Sequence, residues 1–411
     1  VKFKSTFFKN ATILTNAGVV KKRGRGVVSN DLFLIENGVL VCDSNGKIVF
    51  SGSSQDFKSS PNFKNFKEID LEGRVIMPAL VECHTHLAFS GDRSLEFEMR
   101  LDGATYQKIY ESGGGIRNTV EATRRANFGA LFELSKKRVQ AMQNIGIGTV
   151  EAKSGYGLSK ESELKQLGVV QKLKEQFGER EIVSTFMGPH AVPKDFNGGS
   201  DRFLDEMIAL LPEIKEKELA EAVDIFTEVG YFSVPQSQKF LKKAKDLGFD
   251  LRVHADELND LGAAEMAVDL GAKSADHLLC VNESGIKALS KSETVAVILP
   301  GTSFFLNEPD APARKLLDAG AVVALSTDFN PGSSMTYNLP LIMTMACVRL
   351  RFKVAEAVAA VTYNAAKVLG LEREKGALLP GYDADLFILD SPHYQNLVYH
   401  FGENHRYLLR E

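Results

Sequence analysis

Cysteine, long apolar runs and excess charge of either sign are all scarce in this 411-residue chain. Its four cysteines, Cys42, Cys83, Cys280 and Cys347, show no CxxC spacing, which argues against a disulfide scaffold and fits a reducing compartment. The longest unbroken apolar run, Val75 to Val81, contains Pro78 and is far shorter than the roughly 18 residues a membrane-spanning helix needs. No apolar segment follows the first lysines, so no signal peptide is expected, and the cytoplasm is the expected location. Lys plus Arg number 49 and Asp plus Glu 53, a formal charge of −4, so there is no electrostatic footprint for nucleic acid. The basic cluster Lys21, Lys22, Arg23, Arg25 is short, broken by glycine, and reads as a solvated loop. There is no internal repeat, no low-complexity tract and no Gly-rich phosphate fingerprint after any candidate strand; the triplet Gly113-Gly114-Gly115 reads as a mobile loop.

Charged residues at 25% and hydrophobic residues at 44% describe an ordinary globular chain and exclude a mainly disordered or collagen-like one. At ~150 residues per domain the length suggests two to three domains, or one large barrel with an attachment. Residues 1–75 read as short strands and turns, with β-rich segments at 31–41 and 47–50 around the turn Asp43-Ser44-Asn45-Gly46, then a loop at 51–64. From 76 onward, short apolar runs alternate with amphipathic segments. Candidate strands are 76–82, 147–151, 182–187, 223–227, 250–254, 274–277, 294–299 and 321–326. Helical patterns lie at 130–144, 161–177, 201–216, 236–247, 261–270, 283–290 and 311–319, with a long irregular stretch at 87–128. Such alternation predicts an α/β fold, a (β/α)8 TIM-like barrel over 76–375. Further helices are expected at 338–349 and 353–370. A β-like return at 376–390 would join 1–75 in a small β-sandwich-like domain made from both chain ends, 1–75 plus 376–411.

Histidine carries the clearest chemical signal. Of eight, His393, His400 and His405 sit in the C-terminal tail and read as surface residues, whereas His84, His86, His190, His254 and His277 each fall at or just past the end of a candidate strand. In a (β/α)8 barrel those ends form the active-site face. In His84-Thr85-His86 the two imidazoles share one face of a strand, so both can reach one ion while Thr85 turns away. With His254 and with Asp328 after the last strand, they make a set of three nitrogens and one carboxylate suited to zinc or ferrous iron, a water taking the open position.

The segments His84 to Arg93, Glu151 to Leu158, Gly188-Pro189-His190, His254 to Leu261 and Asp328 to Ser334 resemble the amidohydrolase superfamily and, within it, the imidazolonepropionases, ring-opening hydrolases of histidine degradation. The more specific motifs are Ser90-Gly91-Asp92-Arg93, Lys153-Ser154-Gly155-Tyr156-Gly157 and Asp328-Phe329-Asn330-Pro331-Gly332-Ser333. The resemblance implies hydrolysis of 4-imidazolone-5-propanoate to N-formimino-L-glutamate, with one divalent metal per chain, Zn2+ or Fe2+/Fe3+, on His84, His86, His254 and Asp328. One metal rather than two is expected because the fourth strand, Asp224-Ile225-Phe226-Thr227-Glu228, lacks the bridging lysine of binuclear members, and Lys153 lies on the second strand. The resemblance also implies substrate contacts from Arg93, Tyr156, His190, Glu257, Asn330, Gly332 and Ser333. Cys83 and Ala79 depart from the usual surroundings of the HxH pair.

The chemistry assigns roles to these groups. A bound divalent ion lowers the pKa of its water to about 7, so a hydroxide can attack the ring amide carbonyl. Asp328 can act as ligand and base, and His277 can orient the water or the oxyanion. Glu257 can hydrogen-bond the ring and shuttle a proton; the alternative is a carboxylate at a helix N-terminus. The Arg93 fork suits a propionate, against a surface salt bridge. A small-molecule substrate is expected, with no nucleic-acid or membrane partner, and a homodimer is the expected assembly. The competing readings are an aminohydrolase of a purine- or pyrimidine-like heterocycle, for which Arg93 and Tyr156 are the discriminating residues, and an inactive barrel, which would be expected to have lost ligands.

Overall fold

The structure, a computed structural model, describes residues 5–57, 63, 66–104, 114–179 and 181–404. Gly113, His405, and parts of the expected loop 51–64 and of the stretch 87–128 lie outside the described residues.

The chain first builds β1 (Thr6–Leu14), β2 (Leu34–Cys42), β3 (Ile48–Ser53), β4 (Lys67–Asp70) and β5 (Val75–Pro78). The barrel strands follow: β6 (Leu80–Glu82), β7 (Ile147–Lys153), β8 (Ile182–Phe186), a fourth position shared by β9 (Ala222–Val223) and β10 (Phe226–Thr227), β11 (Asp250–Ala255), β12 (Ser274–His277), β13 (Val295–Ile298) and β14 (Val323–Leu325). Neighbours pair in parallel from β6 round to β14, in chain order. β13 and β14 are short, wholly buried aliphatic segments, as strands covered on both faces must be. The first and last strands meet just beyond their ends. Thr85 pairs with Phe329, the Asp328 N–H donates to the His84 carbonyl at 3.1 Å, and the His86 N–H donates to the Phe329 carbonyl at 3.0 Å.

A second sheet has the order β15-β5-β1-β2-β3, with β15 (Leu386–Leu389) from the far end of the chain and β4 also on β1. It is one hydrogen-bonded sheet rather than a two-sheet sandwich, because β1 takes β2 on one edge and β4, then β5, on the other. Its core contains Phe8, Ile13, Leu40, Ile76 and Ile388.

Several expectations need correction. The apolar run expected as one strand over 76–82 is two: β5 pairs with β15 in the small sheet, and after Ala79 the chain enters the barrel as β6. Both halves are fully buried, so hydrophobicity alone shows no break. The stretch 87–128 contains helices Ser94–Leu101 and Ile116–Arg125, and an unexpected helix Pro300–Leu306 follows β13. The helix expected over 353–370 is interrupted at Thr362. Arg25 is only partly solvated: its guanidinium donates to the carbonyls of Ser290 at 2.9 Å and Gly320 at 2.8 Å, and to that of Ser292.

The two ends of the chain are tied by Asn16. Its buried amide donates to Thr362 Oγ1 and to the Gly376 carbonyl, both at 2.9 Å, from a backbone φ of 60°. Asn16→Ala leaves these acceptors unpaired, a cost of about 1–3 kcal/mol, and puts alanine in the left-handed region for roughly 1 kcal/mol more. Urea unfolding should therefore show a loss of about 2–4 kcal/mol.

Candidate metal centre and substrate cavity

The seam between β6 and β14 sets His84, His86 and Asp328 side by side. β11 brings His254 to the same end, with ring centroids 4.6 Å from His84 and 5.5 Å from His86. Asp328 Oδ1 lies 3.4 Å from His84 Nε2 and 3.6 Å from His86 Nε2. One donor atom from each of His84, His86 and His254 falls within a 4.8 Å cluster, and His84, His277 and Asp328 form a second, overlapping one.

Ring orientation is set from below. His84 Nδ1 donates to Asp276 Oδ2 at 2.6 Å, and His254 Nδ1 to Asp224 Oδ1 at 3.1 Å. Each bond fixes the tautomer and turns Nε2 toward the cavity. His84 Nε2, His254 Nε2 and Asp328 Oδ1 are buried and have no hydrogen-bond partner in the protein. Orphaned buried polar atoms are costly, and these nitrogens and carboxylate oxygen fall in two overlapping groups that share His84, donors of a kind that suits a divalent cation. Asp328 Oδ2 is held by the Thr302 hydroxyl at 2.7 Å.

Protonation follows from burial and neighbours. Burial opposes the charge of His84, but Asp276 and Asp328 pull its pKa up to about 9. Burial also opposes ionisation of Asp328, yet the facing imidazoles, His84 foremost, hold it well below the usual carboxylate range. His190 and His277 are pushed down to about 4 and about 3, by burial first and the His254 ring second, so both are neutral near pH 7. Glu257 is pushed up to about 8 by burial, then by the charges of Asp328 and Glu228. Its Oε1 lies 3.5 Å from His277 Nδ1. His277 follows Asp276 directly as the last residue of β12, paired with Ala255 across the ladder, and its backbone φ is 76°.

A cavity of about 240 Å³ opens above these rings. Its floor is His86, His254, His277 and Asp328; its walls include Arg93, Tyr156, His190, Glu257, Asn330, Gly332 and Ser333. His84 lies beneath, with no exposed surface. The sequence-derived candidates are thus gathered at one place, with different degrees of freedom. Arg93 Nε is bound to Glu96 at 2.8 Å, and Gly332 packs so close that a Cβ there would collide with Arg93 Nη1. Tyr156 sits in a loop shaped by buried Glu163, whose carboxylate accepts the N–H groups of Gly155, Gly157 and Leu158 at 2.8–3.1 Å. His190 Nδ1 donates to the Gly155 carbonyl at 2.9 Å. The Asn330 amide is spent on its own turn: Oδ1 accepts from Gly332 N and Ser333 N, and Nδ2 donates to the Asp328 carbonyl and Ser333 Oγ, all at 2.7–2.8 Å. Sequence reasoning missed Asp276, Asp224, Thr302 and Glu96. Asp276 carried a usable signal, since it is a carboxylate in a short strand that ends at a histidine.

The amidohydrolase family model matches residues 75–405. The chain belongs to the amidohydrolase family. Within it, this amidohydrolase is 45% identical over 400 residues to the imidazolonepropionase of Bacillus cytotoxicus, covering 96% of this chain and 93% of the relative. It is 46% identical over 377 residues to that of Bacillus mycoides, covering 92% and 88%. Solved structures share the fold at low identity. A 5-methylcytosine deaminase from Klebsiella pneumoniae liganded with 5-fluorocytosine has a TM-score of 0.72 at 17% identity, covering 99% of this chain and 98% of that one. An adenosine deaminase from Xanthomonas campestris with bound zinc has a TM-score of 0.70 at 14% identity, covering 98% and 90%. Metal dependence is general to the family, and the histidine cluster of this amidohydrolase supplies a place for an ion.

His254→Ala and Asp328→Ala test that place. Both side chains lie at strand ends, outside the packed layers, so each variant should keep the wild-type circular dichroism. Elemental analysis should find about one metal per chain in wild type and much less in either variant. Turnover should fall by several orders of magnitude. Full metal content in both variants would contradict the assignment.

Proposed function

We propose that the chain hydrolyses 4-imidazolone-5-propanoate to N-formimino-L-glutamate, a ring opening in histidine degradation. The observation that carries this is the 45–46% identity to imidazolonepropionases along nearly the whole chain. In the reaction, water adds across a ring amide: oxygen joins the carbonyl carbon, the ring C–N bond breaks, and a proton goes to the leaving nitrogen.

His84, His86, His254 and Asp328 would hold a single zinc or iron ion. When bound, such an ion acidifies a water and polarises the ring carbonyl. The protein groups around it divide the remaining work. Asp328 has one oxygen held by Thr302 and the other turned to the His84 and His86 imidazoles, and as a ligand beside the water it can also take the proton of the attacking water. His277, neutral and with neither nitrogen hydrogen-bonded, can orient that water or steady the developing oxyanion. Glu257 is largely protonated at neutral pH and can pass its proton to the ring nitrogen. Tyr156, His190 and Ser333 line the cavity and would contact the substrate there. A single ion is favoured because Lys153 is engaged by carboxylates beneath the rings and leaves no amine for a bridge.

Arg93 selects the substrate. Glu96 holds Nε, which leaves the outer edge of the guanidinium for the propionate. A charged hydrogen-bonded pair contributes about 1.5–3 kcal/mol, so Arg93→Met should raise KM roughly 10- to 150-fold. An analogue without the carboxylate should be handled almost equally by wild type and variant. Equal losses on both compounds would make Arg93 structural, and deamination of a nucleobase by wild type in place of ring opening would favour the aminohydrolase reading.

Glu257→Gln keeps the shape and removes the transferable proton. Ring opening, followed by loss of ultraviolet absorbance, should slow roughly 10²-fold with metal content unchanged. Metal loss in this variant would place Glu257 among the ligands.

A further inference from the structure

Beneath the imidazoles lies a cluster of buried charge that the proposed reaction does not consume. Lys153 has no exposed side-chain surface; its Nζ lies 2.8 Å from Asp224 Oδ2, 2.8 Å from Glu151 Oε1 and 3.9 Å from Asp276 Oδ2. Glu151 also pairs with the Arg252 guanidinium at 3.0 Å, and the other two neighbours of the lysine are the aspartates, Asp224 at hydrogen-bond distance and Asp276 at ion-pair distance. These are the carboxylates that accept from His254 Nδ1 and His84 Nδ1.

We propose that Lys153 is a positioning residue for the metal centre: its ammonium ties Asp224 to Asp276, and through them sets the rotation of the His254 and His84 rings. The proposal rests on the reading of His84, His86, His254 and Asp328 as metal ligands. The local geometry makes the tie possible. Glu151 and Lys153 are alternate residues of β7 and point to the same, inward face. His254 and Asp276 stand opposite each other across the β11–β12 ladder, and Asp224 occupies the gap between β9 and β10. An ammonium has three donors on a compact charge, enough to face Glu151, Asp224 and Asp276 together. Asp224 accepts from the His254 backbone N–H as well, at 3.2 Å, so its place is fixed from two sides. Burial disfavours the lysine charge, but Asp224, Glu151 and Asp276 more than offset this and keep it protonated.

A positioning role and a purely electrostatic one predict opposite signs. If Lys153 acted only as a nearby positive charge, removing it would lower repulsion and tighten cation binding. If it holds the rings in place, removing it weakens binding, by the 10- to 100-fold typical of partners that orient metal-binding histidines.

The test is zinc affinity, measured by competition with a chromophoric chelator, together with the visible spectrum of the cobalt(II)-substituted protein. Lys153→Met should bind zinc 10- to 100-fold more weakly than wild type and show altered cobalt bands. Unchanged or tighter zinc binding with a wild-type cobalt spectrum would overturn the proposal. A double-mutant cycle of Asp224→Asn and Asp276→Asn covers the case in which Lys153→Met does not fold. Two carboxylates sharing one ammonium should give non-additive losses of zinc affinity, and additive losses would overturn the tie. A wild-type protein that binds no zinc or cobalt would refute the ligand assignment itself, an outcome distinct from variants that bind as wild type does.

Discussion

The barrel closes through the backbone of residues at and just beneath the floor of its cavity. His84 and Asp328, and His86 and Phe329, are hydrogen-bonded partners across the seam between the first and last strands. The separation of the two imidazoles from the carboxylate is therefore set by sheet geometry rather than by flexible loops. His254, opposite Phe226 on one neighbour and Asp276 on the other, is placed by the same ladder. A shift of register by one residue on any of these strands would turn a side chain away from the cavity.

Holding polar groups in a barrel interior has an electrostatic consequence. The inner layers of such barrels are usually branched aliphatics, but here Glu82, Glu151, Lys153, Asp224, Arg252 and Asp276 are all buried. Burial of this kind is tolerable only when charges are paired and lone pairs are used. Arg252 and Lys153 meet Glu151, Asp224 and Asp276. Glu82, without a cation beside it, is pushed up to about 7 by burial and is held by Ser326 and Thr327. Two of these paired carboxylates, Asp224 and Asp276, also orient the imidazoles, so the charge balance of the interior and the aim of the histidines are one problem.

The cavity walls are loops, yet they are held by a repeated device: a carboxylate accepting backbone N–H groups. Glu163 fixes the loop of Tyr156, Asp256 accepts from Leu261, Ala263 and Ala264, and Glu228 accepts from Leu258 and Asn259. Glu96 does the same for Gly115 while holding Arg93. A turn pinned in this way presents its side chains with little ordering left to complete when substrate arrives.

Much was legible in the sequence, because strand and helix periods are local and the histidines fall where those periods end. The alternation of apolar runs with amphipathic segments pointed to the barrel, and HxH on a strand pointed to an ion. Other features had no local signature. The continuous apolar run Val75–Val81 hides the passage from one sheet to another, since both halves are equally buried. That the Asn330 amide shapes its own turn at the cavity wall depends on the fold of the loop after β14. Arg25 reads as solvated until the carbonyls it meets, more than 260 residues away in sequence, are in place. The sequence by itself determined the fold class and the family, and it offered a candidate set of metal-binding side chains, because these depend on residue type and short-range spacing. Only the tertiary structure decided which nitrogen each imidazole presents and which buried charges neutralise one another. Those outcomes depend on pairings such as His84 with Asp276 and Lys153 with Asp224, set by distance in space between residues far apart along the chain.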